Sequence, residues 1–159
     1  MQNLLVAAAA AASIHYGAFG NYRTGDCGIV AVANAIQEQH PKAKITTGEV
    51  VRYYRTVKDP DGDGVVEPWA LSNLETRPLA GYLVSSFSSI DRSQLAGALR
   101  RGEVIAQLHY QEGDHDVLVT GADRGGVSFV SDGVESAMPW AFFLPALADL
   151  WSVSITKAA

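Results

Sequence analysis

Val104-Ile105-Ala106-Gln107-Leu108-His109-Tyr110, Asp116-Val117-Leu118-Val119-Thr120-Gly121-Ala122 and Gly126-Val127-Ser128-Phe129-Val130-Ser131 are β-branched, apolar segments separated by turn residues. They read as three consecutive antiparallel strands. The chain before them has a helical character. From Asp26 to Gln39, apolar Ile29, Val32, Ala33 and Ile36 share one helical face, Asp26 suits the N-cap and Pro41 closes the element. Thr47 to Val57 reads as a second helix, capped by Thr46 or Thr47 with Glu49 in its first turn. Gly81 to Phe87 fits a strand, and Asp91 to Arg101 a helix ended by Gly102. After the strands, Trp140 to Leu150 is predicted helical and Trp151 to Ile155 a returning strand. Helices first and strands afterwards predict an α+β fold, with N-terminal helices packed on a C-terminal antiparallel sheet.

The outer parts of the chain are simpler. Met1 to Ala12 is alanine-rich and predicts a helix, Ile14 to Gly25 a loop, Asp59 to Pro68 a polar turn region and Trp69 to Glu75 a short helix. Leu4 to Ser13 has the apolar character of a signal-peptide core. However, Met1 through Ala12 carry no Lys or Arg, and the stretch is too short to span a bilayer. It is read as a helix packed on the domain. With 159 residues, 48% hydrophobic and 18% charged, the chain predicts one globular domain over residues 1–159. A formal charge of −5 and the lack of a basic stripe argue against nucleic acid as a partner. No membrane span is expected, and the location expected is cytoplasmic, with secreted or virion-associated as the alternative.

Cys27 is the only cysteine. That excludes an intramolecular disulfide and any multi-cysteine zinc site. It opens the helical pattern, where unpaired backbone N–H groups and the helix dipole favour the thiolate, the form that acts as nucleophile. The alternative is a small buried core residue, since free cysteines are commonly buried. A nucleophilic cysteine needs a base and a group that orients it. Of His15, His40, His109 and His115, the last is best placed, because it opens the strand Asp116 to Gly121. His40 beside Pro41 reads as a solvated surface residue, His109 as a half-buried strand residue, and His15 as a loop residue with no sign of a base. Asp132 ends the strand after the one His115 opens, and antiparallel pairing brings it beside His115.

Asp26-Cys27-Gly28 heading an apolar helix, His115 opening a strand and Asp132 closing the next resemble a papain-like cysteine peptidase. More narrowly, the chain is similar to the bacteriocin-processing (double-glycine leader) peptidases and their stand-alone relatives, from Asn21 to Asp132. The resemblance implies a papain-like fold and a Cys27–His115–Asp132 triad acting on a peptide or protein substrate through a thioester. No cofactor is required by that chemistry. It also implies an oxyanion donor six residues before the cysteine, where the family has glutamine and this chain has the shorter amide of Asn21. Losing such a donor costs on the order of 3–4 kcal/mol of transition-state stabilisation. Two alternatives remain: a catalytically inactive papain-like binding or structural module, and a transglutaminase-type acyltransferase.

Asp59-Pro60-Asp61-Gly62-Asp63-Gly64-Val65-Val66-Glu67 has the first half of a calcium loop, with Asp59, Asp61 and Asp63 as candidate ligands. The position of the closing bidentate glutamate holds Ala70, so a solvated acidic turn is the preferred reading. Trp69, Trp140, Trp151, Phe142 and Phe143 are expected to anchor packing. Tyr53 and Tyr54 are read as packing residues, with a groove-lining role as the alternative.

Overall fold

Among the described residues, six strands form: β1 (Tyr82–Ser89), β2 (Glu103–Tyr110), β3 (Gly113–Ala122), β4 (Gly126–Ser131), β5 (Val134–Pro139) and β6 (Leu147–Lys157), and period-two alternation of apolar residues is clearest in β2, β3 and β4. The computed structural model describes residues 27–43, 45–46, 48–50, 78–111, 113–131 and 133–159. All the strands join one antiparallel sheet in the order β1-β6-β2-β3-β4-β5. The last strand of the chain therefore sits between β1 and β2. Among the described residues, the sheet is accompanied by α1 (Cys27–Gln39), α2 (Leu95–Arg101) and α3 (Trp140–Ala146). This is the α+β arrangement expected.

Alternation along the strands divides the core in two. On one face Ile105, Leu118, Trp151 and Val153 pack with Ile29, Val32, Ala33 and Ile36 of α1. On the other, Val104, Ala106, Val117, Val119 and Phe129 pack with Leu95 and Ala98 of α2 and Phe143 of α3. Helix α1 lies mainly along β3 and is buried on all sides, since every residue from Cys27 to Ile36 is buried. The sequence pattern had marked only one of its faces.

Local signals hold at the Thr46 cap and at the Gly102 helix end. Thr46 caps the turn that follows it by a reciprocal box: Glu49 N–H donates to Thr46 Oγ1 at 3.2 Å, and Thr46 N–H donates to Glu49 Oε2 at 2.8 Å. The Asp91 helix begins as a 3-10 turn over Arg92–Gln94 before becoming α2, with Gly102 as its C-cap.

Four expectations are corrected, one of them the half-buried setting of His109, whose side chain is 72% exposed because it sits toward the tip of the β2–β3 hairpin. Leu147 to Leu150 is the start of β6 rather than helix, because Asp149 and Leu150 pair with Gln107 and Ala106 of β2. Phe142 is 68% exposed, whereas Phe143 and Trp151 are core. His40 is half-buried rather than solvated, stacked on Tyr82 with ring centroids 4.5 Å apart. The helix over Met1–Ala12, the loop to Gly25, the later part of the Thr47 helix, the acidic loop, Tyr53, Tyr54 and Trp69 lie outside the described residues.

Candidate functional site

Cys27 is the first residue of α1 and is 8% exposed. Its thiol donates to Asp116 Oδ2 at 3.9 Å, and Asp116 is itself only 2% exposed. Directly across from Asp116 on β2 stands Gln107, 5% exposed. The thiol thus meets a carboxylate that the sequence reading had not singled out.

His115 is the neighbour of Asp116 in β3, and adjacent strand residues point to opposite faces. Asp116 and Leu118 face α1, while Val117 and Val119 belong to the opposite core. His115 follows Val117 and Val119, and its Nε2 shares a 2.7 Å hydrogen bond with Ser131 Oγ at the end of β4. The start of β3 and the end of β4 do lie side by side, as antiparallel pairing required. The structure does not bring His115 to the Cys27 side of the sheet. Asp132 and Asn21 lie outside the described residues.

Another imidazole is on the Cys27 side. His109 and Asp114 are direct partners across β2 and β3, and His109 Nδ1–H donates to Asp114 Oδ1 at 2.5 Å. Their side chains are 72% and 36% exposed. This pair was legible from sequence: only Gln111 and Glu112 separate Tyr110 from Gly113, and a two-residue connection sets 109 opposite 114.

At the far end of α1 a second group of carboxylates is perturbed. Burial, reinforced by the charge of Glu38, pushes Glu103 up to about 7 against the hydrogen bond from Gln39. Burial and then the charge of Glu135 raise Glu38.

Asp59, Asp61 and Asp63, the candidate calcium ligands, lie outside the described residues. Among the described residues, no group of three His, Cys, Asp or Glu side chains is arranged to hold a metal ion. No helix among them is long and apolar enough to cross a membrane. No protein-family model matches the chain, and a search of curated proteins returns no match.

Proposed function

We propose that this protein is a thiol-dependent amide hydrolase of papain-like layout, acting on a peptide or protein with Cys27 as nucleophile. The observation that carries this reading is the position of the single cysteine at the first residue of a helix laid on an antiparallel sheet. A helix start favours the thiolate, and a rigid sheet is a precise support for the partners of a nucleophile. In the reaction, Cys27 Sγ bonds to the substrate carbonyl carbon. The C–N bond then breaks as an imidazolium gives its proton to the leaving amine. Water next adds to the thioester, loses a proton to the imidazole and releases Cys27 as the thiolate. Asn21 is proposed as a side-chain donor to the tetrahedral oxyanion. The family-derived role for His115, oriented by Asp132, requires the start of β3 to present its other face to Cys27.

A second reading is a papain-like module without turnover. The burial of Cys27 and its contact with the Asp116 carboxylate favour it, because both disfavour the thiolate. The pH dependence of iodoacetamide alkylation separates the two. Fast reaction of Cys27 well below pH 8, with hydrolysis of a peptide library lost in Cys27→Ala, supports the hydrolase. Titration as an ordinary thiol near about 8.5, with no turnover, rejects it. Capture of the acyl group by an added amine in preference to water would identify a transferase.

A further inference from the structure

Three alternate cross-strand pairs of the β2–β3 hairpin change character along one line. Ile105 faces Leu118, Gln107 faces Asp116 and His109 faces Asp114, with no register shift between them. Pairs two residues apart share a face, and this face is the one that carries α1, because Ile105 and Leu118 pack with it. The first pair is apolar and lies in the core with α1. The second is polar, buried and in contact with Cys27 through Asp116. The third is an exposed imidazole–carboxylate pair toward the tip of the hairpin, one step beyond the residue that contacts the helix start.

We propose that His109, oriented by Asp114, is the imidazole that serves Cys27. This inference rests on the reading of Cys27 as a nucleophile. Asp114 holds Nδ1, so the nitrogen left to exchange a proton with thiol or substrate is Nε2, the division of roles a base and its orienting carboxylate require. The step from the Asp116 row to the His109 row is about 7 Å along the strand, a span that an imidazole and one bridging water can fill. The exposure of His109 leaves it reachable by a peptide lying across the helix start. In the reaction the thiol proton passes to His109 Nε2 as the S–C bond forms, then to the departing amine nitrogen as the C–N bond breaks. His115 lies on the other face with Nε2 held by Ser131, and His40 is at the opposite end of α1, roughly 20 Å away along the helix.

The test is iodoacetamide alkylation of Cys27 from pH 5 to 9 in the full chain, for wild type, His109→Ala, Asp114→Asn and His115→Ala, with circular dichroism as a fold check. His109 and Asp114 are at least partly exposed, so their variants are expected to fold. The inference requires that His109→Ala slows the reaction at pH 6 at least tenfold and removes the low-pH limb of the profile. Asp114→Asn should slow it several-fold, and His115→Ala should retain the limb. Loss of the limb in His115→Ala with retention in His109→Ala overturns the assignment and leaves the thiol-hydrolase reading intact. A wild type with no low-pH limb overturns that reading itself.

Discussion

A carboxylate beside a thiol opposes the thiolate, because two negative charges repel in a site shielded from water. At Cys27 this opposes the helix start, which favours the anion. Asp116, 3.9 Å from Sγ and 2% exposed, therefore sets how reactive the thiol is. Asp116→Asn removes the charge and keeps the size and the hydrogen-bonding oxygen. The expected outcome is alkylation of Cys27 about tenfold faster at pH 7, with the midpoint of its pH profile about one unit lower. An unchanged profile would show that the carboxyl carries no charge against the thiol. His115 and Asp116 illustrate how narrow such decisions are, since neighbours in one strand take their side chains to different cores.

The elements follow from local chemistry more closely than the site does. Helix α1 begins where the sequence marked it, and the burial of Ile29, Val32 and Ile36 makes each worth about 1.5–3 kcal/mol of apolar transfer. The turn from β3 to β4 is built by Asp123, whose Oδ1 accepts the N–H of Gly125 at 2.6 Å and of Gly126 at 3.1 Å. Trp140 at the start of α3 donates Nε1–H to Asp123 O at 2.7 Å, with Arg92 over its ring at 4.9 Å. Gly126 is fixed by space: a Cβ there would sit 2.2 Å from the Met138 carbonyl oxygen on β5. Gly126→Ala should lower stability by about 2–3 kcal/mol in urea unfolding, because backbone rather than a flexible side chain has to move. Gly125→Ala meets only the Asp123 side chain at 3.2 Å and should be milder. Strand β5 went unread in the sequence for a physical reason. Its residues Val134 to Ala137 are all exposed at the sheet edge, so no apolar alternation marks them, and the strand is formed by pairing with β4. Leu147 to Leu150 was misread for the converse reason, as pairing with β2 overrides a helix-compatible composition.

Across the whole molecule, α1 ties two chemically different ends of the sheet together, with Cys27 at one and the Glu38–Glu103 carboxylates at the other. Glu103, raised to about 7 by burial and by Glu38, holds its proton more tightly folded than unfolded. A raised carboxyl pKa contributes stability that is fully present below the unfolded value near 4.5 and is lost as pH climbs through about 7. Wild type should therefore lose stability between pH 5 and 7.5, by at most about 3 kcal/mol. Glu103→Gln should flatten that slope and be the more stable protein at pH 7.5, as read by thermal or urea unfolding. An equally steep slope in the variant would assign the loss to other groups. By itself the sequence determined the helix at Cys27, the Thr46–Glu49 capping box, the strands β2, β3 and β4, and the likeness of Asp26-Cys27-Gly28 to a thiol-peptidase motif. Each of these rests on contacts within a few residues. Only the tertiary structure decided that β6 inserts beside β2, and that α1 covers the face of β3 bearing Asp116 instead of the face bearing His115. That choice depends on which side of the sheet a distant helix docks, and a period of two makes the alternatives one residue apart.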